Sequence, residues 1–325
     1  MRELEIPRKN VFVKSKKRGE YNMINLPKSI EVLEVGPRDG FQNIKEYIPT
    51  ETKLAVIEKM IAAGVRSMEV TSFVHPKAIP QMFDSAEVVK TVVAKYQDTG
   101  LKVMALVPNL TGARKAYDSG IREVSYVISA SEKHNLANIN RTREQSLAEL
   151  QGIIAEMPEL KVRLAVATAL GCPFQGKVDY DLVYSLVEAG VSSGVTFVTL
   201  CDTIGIGNPK QVSELVSGVK ERFAGMPFGL HLHDTRGMGL ANTLAGLEAG
   251  VTTFETSVGG LGGCPFAPGA AGNTATEDML NMLHSMDVET GINLERYLEA
   301  VKIVQEQIQP VLTGHMASAC KYENL

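Results

Sequence analysis

Tryptophan is absent from this 325-residue chain, and aromatic residues make up only 6% of it. A surface built to stack sugars or bases is therefore not expected. The four cysteines, Cys172, Cys201, Cys264 and Cys320, lie far apart and form no C-x-x-C pair. That spacing excludes a disulfide framework and the usual structural zinc sites, and it predicts reduced thiols in a cytoplasmic protein. No apolar run approaches the roughly 18 residues of a membrane span, so no membrane partner is expected. Charge of one sign is lacking too. Lys and Arg total 33 against 37 Asp and Glu, a net charge of −4 without long blocks, which argues against nucleic acid as a partner. Residues 1–28 are basic around Lys14, Lys16, Lys17 and Arg18. They also carry Glu3, Glu5 and Glu20 and no apolar stretch, so neither a signal nor a transit peptide fits.

What is present is an alternation of short β-branched runs with longer amphipathic stretches, beginning at Ser29. The pattern predicts strands at Ile30–Val35, Ser67–Phe73, Lys102–Val107, Glu123–Ser129, Val162–Thr168, Thr196–Cys201, Phe228–His233 and Thr252–Val258. Helices are expected at Thr50–Ala63, Asp84–Tyr96, Arg143–Glu156, Tyr180–Ala189, Pro209–Phe223 and Leu240–Ala249, with Gly64, Gly120, Gly190 and Gly250 placed as C-terminal caps. Eight such units predict parallel strands joined by crossover helices. A doubly wound open sheet is the rival, but Val35-Gly36-Pro37-Arg38-Asp39 is not a dinucleotide-binding turn. The expectation is an α/β fold, a (β/α)8 TIM barrel over residues 29–290. Residues 1–28 would be a short N-terminal extension, and residues 291–325 would add one helix, Leu294–Gln307, and a tail.

In such a barrel the reacting groups sit at the C-terminal ends of the strands. The seventh strand reads Phe228-Gly-Leu-His-Leu-His233, and its period of two puts Phe228, Leu230 and Leu232 on one face and both histidines on the other. Two hydrogen-bonded core histidines are one reading. Two imidazoles at i, i+2 in a tight interior are more readily satisfied by a metal ion. After the first strand, Asp39 supplies an anionic ligand beside Arg38. On that strand we place Leu33 and Val35 toward the helices and Glu34 inward; on the second, Met68 and Val70 outward and Glu69 inward. Buried carboxylates are costly unless paired or functional, so Glu34 and Glu69 read as site residues, with Arg163 as an inward partner for one of them. The glycine-rich stretch Gly259–Asn273 follows the eighth strand. One reading is a flexible connector; the other is a lid that carries Cys264 and ends with Asn273 at the metal. Two His, an Asp and an Asn form a mixed nitrogen and oxygen set that suits Mg²⁺ or Mn²⁺, with softer ions left open.

Glu34-Val-Gly-Pro-Arg-Asp-Gly-Phe-Gln-Asn43, Glu69-Val-Thr-Ser-Phe-Val74, His231-Leu-His-Asp-Thr-Arg-Gly237 and Gly259–Asn273 together resemble the 3-hydroxy-3-methylglutaryl-CoA lyase family. Ser129–Asn135 with Asn138-Ile-Asn140, and Ala169–Phe174, extend the resemblance over most of the barrel. It implies that Asp39, His231, His233 and Asn273 hold a divalent metal, and that Arg38 neutralises an enolate oxygen. It implies Cys264 as the catalytic thiol, His233 as an alternative acid, and Glu69 and Asp202 in proton transfer. Arg38 and Gln42 are expected to contact the acyl-CoA substrate. The implied reaction is carbon–carbon cleavage to acetyl-CoA and acetoacetate, with leucine degradation as the family's default setting and a homo-oligomer, a dimer, as the expected assembly. Phe41, Cys201 and Phe266 stand where the family usually has Leu, Gly and Tyr. A related 3-hydroxy-3-alkyl acyl-CoA, or a Claisen condensation on the same barrel, is the alternative.

Overall fold

The computed structural model describes residues 26–263 and 272–319. Eight parallel strands close into a barrel in chain order. They are β1 (Glu31–Glu34), β2 (Ser67–Ser72), β3 (Lys102–Leu106), β4 (Glu123–Ser129), β5 (Lys161–Ala167), β6 (Phe197–Asp202), β7 (Phe228–Leu232) and β8 (Thr253–Thr256), and β8 pairs back onto β1. Around them run α1 (Thr50–Ala63), α2 (Ser85–Tyr96), α3 (Leu110–Asp118), α4 (Glu132–Ile139), α5 (Arg143–Glu156), α6 (Tyr180–Ser193), α7 (Pro209–Arg222), α8 (Gly239–Glu248), α9 (Thr276–Ser285) and α10 (Leu294–Gln307). The barrel and the added C-terminal helix are thus as the sequence pattern predicts. That helix, α10, packs along α1.

The main core lies between sheet and helices. Val32, Met68, Val70, Ile128, Leu164, Val198, Leu230 and Phe254 all point there and are buried. Each fully buried aliphatic or Phe side chain of this layer contributes about 1.5–3 kcal/mol. The inside of the barrel is different, because it is largely polar. Leu33, Val35 and Met104 form a small separate apolar cluster, and Leu33 lies in register with Glu255 on β8, which in turn lies in register with His231 on β7.

Several boundaries and assignments differ from the sequence pattern. The short helices α3, α4 and α9 were not among the predicted ones; α3 and α4 are only nine and eight residues long, too short for a clear apolar period. Asn109 caps α3 by accepting from Gly112 N at 2.9 Å, and Asn140 ends α4 in a left-handed conformation. Gly190 does not end its helix. It lies inside α6, where a Cβ would come within 2.5 Å of Leu164, and the left-handed cap is Gly194.

Candidate metal centre and active site

The site is assembled from three places in the chain. The first is the turn after β1, where Gly36-Pro-Arg-Asp-Gly40 forms a single π-helical turn, a local form frequent at functional sites. The amides of Arg38 and Asp39 both donate to Val35 O, at 3.0 and 2.7 Å. The flanking glycines are required by close approach: a Cβ on Gly36 would meet Glu34 Oε1 at 2.6 Å, and one on Gly40 would meet Leu261 Cβ at 2.9 Å. The turn therefore presses Arg38 and Asp39 over the barrel mouth, and both are buried.

The second place is β7 and its end. His231 shares a register level with Cys201 and Glu255, so its ring points into the barrel. His233 lies just past the strand, bridged in antiparallel fashion to Asn273. The third place is the segment after the glycine-rich stretch. Thr274 N donates to Leu232 O at 3.0 Å, and Asp234 N donates to Gly272 O at 3.0 Å, so Asn273 is clipped to the end of β7.

These segments converge. Ligand atoms of Asp39, His231 and His233 all lie within 4.8 Å of one another, and all three residues are buried. The Nε2 atoms of the two imidazoles are 3.1 Å apart. At that distance one Nε2–H can donate to the other ring, or a single cation can take both Nε2 lone pairs. A separation of about 3 Å also suits neighbouring ligands around an ion with bonds of about 2.1 Å. Asn273 Nδ2 donates to Asp39 Oδ2 at 2.7 Å and to Leu261 O at 2.9 Å. Its buried Oδ1 finds no donor among the described residues. An orphaned carbonyl oxygen beside a carboxylate and two imidazoles fits a divalent cation.

Electrostatics support the same arrangement. Burial works against charge on Asp39, yet Arg38 and the two histidines outweigh it and hold its carboxyl below the usual range. Burial likewise opposes charge on Arg38, but Glu69 and Asp39 overcome it and the guanidinium stays charged. Arg38 Nε donates to Glu69 and Nη1 to Asp39, so it lies clamped between two carboxylates. Burial, then the neighbouring His231, pushes His233 down to about 3. Gln42 donates to Asp39 Oδ1 at 2.9 Å and Asn43 donates to Asp39 O at 3.2 Å, so both brace the ligand.

Not every expected residue sits as read from sequence. Glu34 faces the helices and Leu33 and Val35 face inward, the reverse of the expectation. The Glu34 carboxylate accepts from Gly36 N, Val258 N, Thr276 Oγ1 and Tyr297 Oη, a full set of donors on the outer side of the sheet. It ties β1 to α9 and α10. Arg163 does point inward, but its partners are Glu123 at 3.4 Å and Glu255 at 3.7 Å, with its guanidinium stacked on Phe197. Asp202 shares register with Leu232, and its two oxygens accept from Ile206 N and Gly207 N at 3.1 and 3.0 Å. Burial pushes its pKa up to about 6. Cys264 and Phe266 lie outside the described residues. One participant was missed altogether: Glu255, whose Oε2 is 3.0 Å from His231 Nδ1. Its signal was an acid within the strand sequence Thr253-Phe-Glu-Thr256.

Among the described residues, no helix is long and apolar enough to cross a membrane. Comparison with known proteins gives one consistent answer. The chain is 42% identical to the hydroxymethylglutaryl-CoA lyase YngG of Bacillus subtilis, over 87% of this chain and 94% of that one. It is 39% identical to the mitochondrial hydroxymethylglutaryl-CoA lyase of Homo sapiens, over 92% of each. Among solved structures, an HMG-CoA lyase from Acinetobacter baumannii, in complex with coenzyme A and 3-methylmalate, superposes with a TM-score of 0.87. That match has 38% identity and covers 92% of this chain and 97% of the other. The HMGL-like family model matches residues 29–304, the barrel through most of α10. With the ligand cluster, the barrel and these matches in agreement, the chain belongs to the HMGL-like family.

Proposed function

We propose that this protein is a divalent-metal-dependent carbon–carbon lyase that cleaves 3-hydroxy-3-methylglutaryl-CoA to acetyl-CoA and acetoacetate. The observation that carries the reading is the convergence of Asp39, His231, His233 and Asn273 on one point at the barrel mouth, with Arg38 directly beside it. Relatives at 38–42% identity bear the lyase name, and one was solved with coenzyme A. The mixed donor set favours Mg²⁺ or Mn²⁺.

A bound divalent ion would polarise the substrate's tertiary hydroxyl and lower its pKa. Asp39, His231, His233 and Asn273 would hold it. A base removes the hydroxyl proton, the oxygen becomes the ketone of acetoacetate, and the bonding pair moves to the carbon next to the thioester carbonyl, whose oxygen takes the charge as the enolate. Arg38, already charged and fixed by Glu69, meets the negative oxygen of that thioester enolate. Glu69 is ion-paired with this guanidinium, as Asp39 is, and keeps it oriented. The role of Asp202 in proton transfer is supported by its raised pKa, although both its oxygens also hold the loop after β6. Cys264, with His233 as the alternative, is the acid that returns a proton to carbon. Gln42 works through Asp39, which it touches, before any direct contact with substrate.

The test follows acetyl-CoA release from 3-hydroxy-3-methylglutaryl-CoA with Mg²⁺ or Mn²⁺ present. Metal-dependent release is expected, and chelation should stop it. No release, together with condensation of acetyl-CoA and a 2-oxo acid, would reverse the direction of the chemistry. Release only from a longer-branched 3-hydroxy acyl-CoA would change the substrate and keep the mechanism.

A further inference from the structure

We propose that Glu255 is a positioning residue of the metal centre, fixing His231 as the Nδ1–H tautomer so that its Nε2 lone pair always faces the space shared with His233 and Asp39. The inference rests on the metal-dependent reading above and deepens it.

Glu255 lies on β8, in register with His231 on β7 and Leu33 on β1, so its side chain belongs to the layer directly inside the barrel. It is buried. A charged carboxylate in that position costs several kcal/mol unless its oxygens are used. They are used. Oε2 meets His231 Nδ1 at 3.0 Å, and Oε1 accepts from Thr199 Oγ1 at 2.7 Å. Arg163 lies 3.7 Å from Oε1, held in turn by Glu123 and by the Phe197 ring. Thr199 and Arg163 leave the carboxylate one orientation, with an oxygen toward the imidazole. A carboxylate only accepts, so Nδ1 must carry the hydrogen, and in the neutral imidazole Nε2 then presents its lone pair.

The two histidines are therefore unequal. His231 has an acid behind it, whereas His233 Nδ1 finds no partner among the described residues. A carboxylate behind a ligating imidazole fixes its orientation and strengthens it as a donor, and loss of such a partner typically costs about 10–100-fold in metal affinity. His231 is then the firm ligand and His233 the looser one. No part of this depends on Glu255 touching substrate.

The full chain is titrated with Mn²⁺ by calorimetry, and the imidazole nitrogens of metal-free protein are read by ¹⁵N–¹H correlation spectra. In wild-type protein with the His231 ring neutral, its hydrogen should be on Nδ1 alone. Glu255→Ala should weaken Mn²⁺ binding by about 10–100-fold and mix the His231 tautomers. Glu255→Gln keeps an acceptor without the charge, so it should retain the tautomer and lose only part of the affinity. Wild-type affinity and an unchanged His231 spectrum in Glu255→Ala would overturn the proposal while leaving the metal reading intact. Wild-type protein that binds no Mn²⁺, or an Asp39→Ala variant that binds it equally well, would overturn both. If Glu255→Ala fails to fold by circular dichroism, Thr199→Val removes only the orienting hydroxyl. That variant should bind Mn²⁺ about 3–10-fold more weakly, and unchanged affinity there counts against the proposal in the same way.

Discussion

Arg38 shows how much of this site is decided by single side chains. Clamped between Glu69 and Asp39, its guanidinium reaches the mouth already oriented and charged. Replacement by Ala should lower kcat about 10²–10³-fold, the scale for losing one group that stabilises an oxyanion. Lysine should rescue little, because one ammonium cannot reproduce a fork held by two acids. A loss confined to KM would reduce Arg38 to a carrier contact. Glu34 teaches the opposite lesson. From sequence it looked like a second inward acid, because a buried carboxylate near a reactive turn suggests chemistry. Its four donors come from the turn after β1, the segment after β8, α9 and α10, and the last three are long-range contacts that no local pattern reveals. Nearby Glu277 is buried, accepts from Gly259 N at 3.0 Å and has its pKa pushed up to about 8 by burial. Its folded pKa lies above the unfolded value of about 4.3, so between them the unfolded chain has released a proton that the native one retains. Stability should thus fall as pH rises from about 4.5 to 8. Thermal melts in metal-free buffer should show Tm dropping by at least about 3 °C from pH 6 to 8.5, and Glu277→Gln should flatten that slope. A wild-type Tm that is level or rising over this range would refute the assignment.

Elements were legible where a face is long enough to show its period. The alternation Phe228-Gly-Leu-His-Leu places His231 inward because a strand has only two faces, and His233, one residue past the strand, keeps to the same side. Parity failed on β1, where only four residues are paired and polar groups occupy both sides. The caps Asn109 and Asn140 were not read, since a cap is recognised by the helix it bounds and both helices are short. The π-helical turn after β1 could not be read at all: Leu261 and Ser257, in the segment after the neighbouring β8, crowd Gly40. That contact gives a prediction at this scale. Gly40→Ala would place a Cβ 2.9 Å from Leu261 Cβ and 3.0 Å from Ser257 Oγ, and neither backbone-near atom can retreat far. Asp39 must then shift, and Mn²⁺ affinity should fall at least about 10-fold while the far-ultraviolet spectrum stays the same. Unaltered affinity would show that the turn has slack.

For the molecule as a whole, the donors join β1, β7 and the segment behind β8, the region where the ring of strands closes. An ion bound there acts only on the folded state. At a concentration 100 times its Kd it should add about 2.7 kcal/mol, raising Tm by about 4 °C for a chain of this size. Scanning calorimetry with and without Mn²⁺ measures this, and Asp39→Ala should abolish the rise. An equal rise in that variant would place the ion elsewhere. The order of the donors has a consequence for biosynthesis. Asp39 leaves the ribosome early and Asn273 late, after all eight strands. On the proposed ligand set, a nascent polypeptide halted between residues 257 and 272 has all eight strands to shut the ring but lacks its last donor. Full grip on the metal thus marks a translation product that has passed its last strand.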